Sequence, residues 1–351
     1  MPGDLCVAVG RKDGERIRKY LLQKGLLDLS RKISSLDDRV LIPIAREILT
    51  DELANMREVA PLELVSAELC LSNRNPVTLQ ELLAEKIPQN LLPLIPKSYD
   101  AVGDLLVLED LPDLLIPYKK EIGSALLKAV PSSKAALLKI GKVEGEFRLP
   151  QLEFVAGERR SDTIYTEYGV RLRVDLSKAY FSSRLGFERY RVAKSVSDGE
   201  TVVDLFAGVG PFSIMIAKYV RARVFAIDIN PAAIHLLEEN IKLNRLRGEV
   251  IPICGDAASS AEKLEGKADR AIMNLPGKSL EYLGTALKVI KGKGGMIHLY
   301  TFASGEPLAT AESNFKDAAG KMNRTCYVVG SRIVKPVAPK KWQVALDISV
   351  S

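Results

Sequence analysis

The sequence predicts an α/β protein: a mostly parallel, seven-stranded sheet covered by helices, preceded by two smaller domains, one α/β and one α+β. Three observations lead there. The chain has 351 residues, and at roughly 100–200 residues per domain that asks for two or three of them. From residue 169 onward, short β-branched runs alternate with amphipathic stretches, the pattern of a parallel sheet buried on both faces. Before that point the pattern differs, and it changes again near residue 67. The expected boundaries are therefore 1–66, 67–168 and 169–351.

In the first segment Leu5–Val9 reads as a strand. Asp13 is placed to cap a helix whose Ile17, Tyr20 and Leu21 share one face, Gly25 to stop it, and Arg39–Ile44 returns as a strand. In the second, residues 79–96 are rich in Leu and Pro and predict short helices broken at Pro88, Pro93 and Pro96. Strand-like runs follow at Leu105–Leu108, Ala135–Ile140, Gln151–Val155 and Thr163–Thr166, with an amphipathic helix over Glu121–Ala129. In the third, the strands are Thr201–Phe206, Arg223–Asp228, Glu249–Cys254, Arg270–Asn274 and Gly295–Thr301, with helices over 211–219, 231–243 and 279–290. Tyr327–Ile333 and Trp342–Val350 lack an intervening helix and predict a closing antiparallel hairpin.

Composition narrows the chemistry. Cys6, Cys70, Cys254 and Cys326 lie far apart, and the histidines are His235 and His298 alone. A thiolate zinc site, a His-rich metal site and a disulfide framework are thereby disfavoured, and no metal is expected. No run of eighteen apolar residues and no basic-then-apolar leader is visible, so a cytoplasmic protein without a membrane span is expected. Net charge is +6, distributed unevenly: −3 over residues 67–130, +3 over 131–200 and +6 over 201–351. A basic C-terminal part suits a polyanion such as RNA, and equally a solvated lysine-rich surface.

The strongest motif is the run from Val203 to Ile214, VDLFAGVGPFSI. A buried strand ends at Asp204, a turn carries Gly208 and Gly210, and Pro211 suits the first turn of a helix. The two glycines let backbone approach a ligand, as Rossmann-like folds require at strand ends. Ser213 stands where a dinucleotide fingerprint has its third glycine, which weakens a pyrophosphate reading. Asp228 ends the next strand, 24 residues on, about where a ribose-binding carboxylate belongs. Asp256 ends the third strand, placed to face the exocyclic amine of an adenine. Asn274-Leu275-Pro276-Gly277 follows the fourth, offering a carboxamide and carbonyl acceptors to a planar, N–H-bearing substrate.

At these residues the sequence resembles class I S-adenosylmethionine methyltransferases, and more narrowly the archaeal and eukaryotic tRNA guanine-37 N1-methyltransferase family. The resemblance is carried by GEFR (145–148), VDLSKAYF (174–181) with Arg184, ERYR (188–191), DLFAGVGPF (204–212), IDINP (227–231) and NLP (274–276). It implies a Rossmann-like methyltransferase domain and S-adenosyl-L-methionine as cofactor. The residues implied around the cofactor are Arg189, Asp204, Phe206, Ala207, Gly208, Gly210, Asp228, Ile229, Asn230, Asp256, Ala257 and Asn274. Guanine N1 carries a proton at neutral pH. The family's catalytic arginine maps onto Arg148, to stabilise charge on O6, and its general base onto Glu188, where burial beside Phe187 would raise the pKa. Asn274 and Pro276 would surround guanine, with Tyr180 and Arg184 at the substrate mouth. The implied partner is tRNA, gripped at its anticodon stem-loop and outer corner by a monomer. Gly277 and Ser183 depart from the family's usual Lys and Pro.

Four other readings share parts of this pattern. Two are wyosine-pathway enzymes: an aminocarboxypropyl transferase on the same scaffold, which the NLP motif disfavours, and a bifunctional methyltransferase also acting on a tricyclic guanosine precursor. The others are a noncatalytic RNA-binding protein, disfavoured by Arg148, Glu188 and Asn274 together, and an NAD-dependent oxidoreductase, disfavoured by the missing glycine.

Overall fold

The computed structural model describes residues 4–28, 30–46, 48, 50–70, 78–144, 147 and 149–351. Its contacts divide the chain into two units, Met1–Leu82 and Leu83–Ser351.

In the first unit, β1 (Asp4–Gly10), β2 (Ser34–Leu36), β3 (Arg39–Pro43) and β4 (Leu62–Ala67) form an antiparallel sheet in the order β2-β3-β1-β4. Helices α1 (Gly14–Gln23) and α2 (Thr50–Val59) accompany it. Ile17 and Leu21 of α1 and Met56 of α2 are buried against Val7, Val9 and Ile42, the inward positions of alternating strands. Gly25 ends α1 in the left-handed conformation that glycine adopts freely, φ +66. Asp13 stands at the N-cap but its carboxylate bonds Arg16 at 3.2 Å instead of a backbone N–H, so the expected cap is not made.

Residues 79–96 form a short helix, α3 (Leu79–Leu83), and a 3-10 turn, Gln89–Leu94. Pro88 precedes that turn and Pro96 follows it, but Pro93 lies inside it and breaks nothing. The second unit continues through β5 (Asp100–Val102), β6 (Leu105–Leu108), α4 (Lys119–Ala129), β7 (Ala135–Glu144) and β8 (Leu149–Gly157), with a sheet in the order β5-β6-β7-β8. A separate hairpin, β9 (Asp162–Glu167) and β10 (Val170–Asp175), follows.

The large sheet comes next. Its elements are α5 (Gly186–Ser195), β11 (Thr201–Asp204), α6 (Pro211–Tyr219), β12 (Arg223–Asp228), α7 (Pro231–Leu243), β13 (Glu249–Cys254), α8 (Ala257–Glu262) and β14 (Arg270–Met273). The chain then runs through α9 (Leu283–Val289), β15 (Gly295–Ser304), α10 (Pro307–Ala319), β16 (Cys326–Ala338) and β17 (Lys341–Val350). The order is β13-β12-β11-β14-β15-β17-β16, and β17 alone of these seven runs opposite to the other six. The predicted helix over 279–290 is a 3-10 turn, Ser279–Tyr282, leading into α9.

Successive residues of β11 feed opposite faces, as the two-residue period demands: Val202 joins one hydrophobic cluster and Val203 the other. The first cluster is continuous from Val107 and Leu137 of the four-stranded sheet, through Leu172 of the hairpin, to Met215 and Tyr300. The second cluster holds Leu205, Ile227, Ala257 and Met273, so the strand ends are packed from both faces of the sheet.

Candidate active site

Strand order reverses at β11, with β12 and β13 on one side and β14 and β15 on the other. In an open α/β sheet such a reversal leaves a crevice beyond the carboxyl ends of the strands, where ligands bind. The register sets Asp204 level with Ala226 of β12 and Ile272 of β14, so the turns after three neighbouring strands open on one edge.

The turn after β11 is pinned by its own backbone. Leu205 N–H donates to the Ile272 carbonyl at 3.1 Å, Ala207 N–H to Ile227 at 2.8 Å and Gly210 N–H to Ala207 at 2.9 Å. Its glycines differ in purpose. Gly208 has φ +55, and a Cβ there would meet nothing nearer than the Tyr180 carbonyl oxygen at 3.8 Å, so its backbone is bare to the crevice. Gly210 has φ +84 at the N-terminus of α6, and a Cβ would stand 2.2 Å from Leu237 Cδ1. Packing demands the second glycine; only the first has open space for a ligand to approach.

Asp204 lies beneath this turn. It is fully buried, its Oδ2 accepts from the Ser213 hydroxyl at 2.8 Å, and its Oδ1 has no hydrogen-bond partner. Burial, reinforced by the charge of Asp228, pushes the carboxyl up to about 7. Asp228 itself accepts from Gly208 N–H at 2.7 Å on one oxygen and from Asn230 N–H at 2.9 Å on the other. Burial raises its pKa against those two bonds. Each carboxylate oxygen keeps a further lone pair, enough for two hydroxyl donors. Exposed Ile229 beside it, and half-buried Phe206 in edge contact with Tyr282 at 5.0 Å, offer apolar flanks for a planar group.

Two of the residues expected at the cofactor also brace the protein itself. Asn230 caps α7 by accepting from Ala232 N–H at 3.0 Å, and its amide donates to the Lys178 carbonyl at 2.7 Å, tying the 175–181 segment to the edge. Asp256 caps α8, accepting from Ser259 N–H at 3.0 Å with Oδ1, so that oxygen is turned to the helix; Ala257 behind it is buried. After β14, Asn274 Oδ1 lies 3.5 Å from Gln343 Nε2, the outer limit of a hydrogen bond. Lys278 N–H closes a turn on the Leu275 carbonyl at 2.9 Å, and the Ser279 hydroxyl sits between the Leu275 and Tyr300 carbonyls. Pro276 and Asn274 are thus carried on an anchored loop, half-exposed at the edge.

Three consecutive residues at the start of α5 go three ways. Phe187 is 66% exposed, so it does not bury Glu188 as the sequence suggests. Glu188 is 3% exposed, covered instead by charged and polar partners. Its Oε2 lies 2.9 Å from Arg191 and 3.5 Å from Arg332, and accepts from the Tyr300 hydroxyl at 3.1 Å. Both arginines also hold Asp347, at 2.9 and 2.6 Å. Asp347 accepts from His298 Nδ1 at 2.6 Å, and Arg270 donates to His298 Nε2 at 2.7 Å. Burial would raise Asp347, but the bonds from His298 and Arg332 hold its carboxyl far below the ordinary range. Burial lowers His298, whose neutral tautomer, with hydrogen on Nδ1, satisfies both partners. Burial and the charge of Glu188 keep the Tyr300 phenol protonated. Sequence reasoning missed Tyr300, Arg332, Asp347 and His298; only Arg191, one helical turn from Glu188, was within reach of spacing.

Arg189, 2% exposed, donates to Glu167 at 2.8 Å and to the Ser182 carbonyl, with its guanidinium 4.9 Å over the Phe181 ring. The resemblance sets it beside the cofactor; here its guanidinium grips the 181–182 stretch. That stretch carries exposed Tyr180, and Arg184, whose Nε donates to Asp100 at 2.6 Å. A small open cleft lies between Tyr180, Phe181 and Leu176 on one side and Asp100, Lys139 and Leu152 on the other. Arg148 lies outside the described residues, with Gly145 and Glu146.

The bare Gly208 backbone, the Asp228 carboxylate and the apolar flanks fit a nucleoside-bearing cofactor. With the strand order, they define a Rossmann-like domain of the class I methyltransferase type. The TRM5/TYW2 methyltransferase domain matches residues 163–329, the TYW2 N-terminal domain 79–160 and the tRNA methyltransferase 5 N-terminal domain 6–52. tRNA (guanine(37)-N(1))-methyltransferase Trm5b of Pyrococcus abyssi is 40% identical over 348 residues, 99% of each chain, and its crystal structure gives a TM-score of 0.72. A complex of aTrm5 with tRNALeu is 38% identical with a TM-score of 0.69, covering 99% of this chain and 100% of that one. The tRNA(Phe) (4-demethylwyosine(37)-C(7)) aminocarboxypropyltransferase of Pyrococcus horikoshii is 31% identical over 274 residues, 78% of this chain and 96% of its own. The chain belongs to the TRM5/TYW2 methyltransferase family.

Proposed function

We propose that the protein is a tRNA (guanine-37-N1)-methyltransferase using S-adenosyl-L-methionine. The observation that carries the reading is the convergence of the Gly208 turn, Asp228 and the Asn274-Leu275-Pro276 loop on one sheet edge. The full-length identity to Trm5b, against a shorter and weaker match to the aminocarboxypropyl transferase, favours methyl transfer over aminocarboxypropyl transfer.

Asp228 would accept both ribose hydroxyls, with Gly208, Phe206, Ala207 and Ile229 around the adenosine. Asn230, Asp256 and Gly210 keep that wall in shape, and Ala257 packs behind it. S-adenosylmethionine, when bound, supplies a methyl group made electrophilic by its sulfonium. Glu188, held by Arg191, Arg332 and the Tyr300 hydroxyl, would accept the N1 proton of guanine at Oε. Arg148 donates to O6 as negative charge builds there, and removal of one such donor costs on the order of 3–4 kcal/mol of transition-state stabilisation. Asn274 and Pro276 hold the guanine plane, with Tyr180 and Arg184 at the mouth. The target base leaves its stack to enter, which costs least in a loop.

The same reading makes tRNA the partner, bound through its anticodon stem-loop and outer corner by a cytoplasmic monomer, and divides the chain at 1–66, 67–168 and 169–351. Among the described residues no helix is long and apolar enough to cross a membrane. The test is incubation with S-adenosylmethionine and unmodified transcripts carrying guanosine or adenosine at position 37, followed by nucleoside mass spectrometry. N1-methylguanosine from the first transcript alone is the expected product. An aminocarboxypropyl adduct, or no product at all, defeats the reading.

A further inference from the structure

Aromatic residues make up 6% of the chain, yet several meet on one surface. Tyr168 stacks flat on Tyr190, centroids 4.4 Å apart at 10°, and Tyr190 meets Tyr219 edge-on at 5.5 Å. The Lys194 ammonium lies over both Tyr190 and Tyr219, at 5.5 and 5.1 Å. Phe187 stands one helical turn before Tyr190 on α5, on the same face of the helix. Tyr190 and Tyr219 are partly packed on the core, whereas Tyr168 is 44% exposed and Phe187 is 66% exposed.

Tyr168 is also in the wrong backbone for its size. It has φ +44 and Gly169 has φ +69, at the turn joining β9 to β10. Two left-handed residues in a two-residue hairpin favour Asn-Gly, and a bulky side chain there is strained. An exposed ring kept at a strained position points to a use for the ring. The surroundings are cationic: Lys194 and Arg171 are exposed, and Arg247 donates to the Tyr219 carbonyl at 2.8 Å with Asp198 no nearer than 3.9 Å.

We propose that this face of α5 is an RNA-binding platform, on which Phe187 and Tyr168 stack unpaired bases of the substrate while Lys194, Arg171 and Arg247 hold phosphates. Interleaved aromatic faces and cations are what strand-binding proteins use without reading sequence. This inference rests on the tRNA reading above.

The experiment uses the full chain with Phe187→Ala, Tyr168→Asn and Lys194→Gln. Affinity for an unmodified tRNA transcript is measured by filter binding at several salt concentrations, S-adenosylmethionine affinity by calorimetry, and melting temperature alongside. Phe187→Ala and Tyr168→Asn are expected to bind tRNA about fivefold to tenfold more weakly, with cofactor affinity unchanged. Tyr168→Asn should melt no lower than the wild type, because Asn-Gly suits the turn. Lys194→Gln should lower the salt dependence by about one phosphate contact. Wild-type tRNA affinity in both aromatic variants overturns the platform, and a lower melting temperature with unaltered tRNA binding assigns the ring to the hairpin alone. A wild-type protein that binds no tRNA removes the functional reading itself, and the platform with it.

Discussion

The edge formed by β11 and β12 and the start of α5 are built in opposite ways. At the edge, Asp228 is fixed by backbone from two successive strand-turn-helix units: Asn230 N–H, two residues on, and Gly208 N–H, 20 residues back in the turn after β11. On α5, Glu188 is fixed by Tyr300, Arg332 and, through Arg191, Asp347, more than a hundred residues away along the chain. Locally closed sites can be read and altered one residue at a time. A site closed by distant charges tolerates only substitutions that keep its shape and its hydrogen bonds.

The largest effect should come from the distant half. Replacing Asp347 by Ala leaves Arg191, Arg332 and His298 facing one another, and removal of one member of a buried ion-pair network costs about 3–5 kcal/mol. Denaturant unfolding checks this, and a loss under about 1 kcal/mol would mean that the network is solvated rather than structural.

Asp204 gives a pH signature. With its pKa raised from 3.8 to about 7 in the folded protein, the proton is held by the folded chain and released by the unfolded one across that window. Its contribution is full below pH 3.8 and is lost as pH rises through about 7, a difference on the order of 4 kcal/mol. Asp204→Asn should remove that slope, so the variant gains on the wild type from pH 4 to pH 8 (roughly the two ends of the window). Parallel stability curves would show that Asp204 is ionised throughout.

Asp228→Ala should weaken S-adenosylmethionine binding by about 100-fold, the loss of two charge-assisted hydrogen bonds at roughly 1.5 kcal/mol each. The two glycines sharpen the comparison at smaller scale. Gly210→Ala, forced against Leu237, should lower stability by about 2 kcal/mol. Gly208→Ala should cost about 1 kcal/mol for its backbone conformation and act mainly on cofactor affinity. Equal effects of both on melting and on binding would erase the distinction between packing and approach.

Legibility followed the same divide. The strands, the turn after β11 and the place of Asp228 at the end of β12 were readable because a buried strand, a glycine turn and a helix start are written consecutively. The edge-strand hairpin was readable too, though not that β17 would insert between β15 and β16. For Asp204, Asn230, Arg189 and Asp256 the structure adds partners within the protein that the motifs did not name, because a motif names a residue without saying what else it braces. Phe187 shows the limit most plainly: adjacency in sequence suggested burial of Glu188, yet a helix turns neighbours about 100° apart, and Phe187 faces solvent. His298, Tyr300, Arg332 and Asp347 left no local signal, since their meaning arises only when β15, β16 and β17 come together.

The division of labour between the two regions is tested most directly by Glu188→Gln, which keeps the shape and the hydrogen bond to Tyr300 while removing the proton acceptor. Single-turnover methyl transfer to a guanosine-37 transcript and calorimetric cofactor affinity are measured on the same preparation. A transfer rate lowered by about 100-fold or more, with cofactor affinity unchanged, is the predicted result. Wild-type transfer by this variant, or loss of cofactor binding, would contradict it.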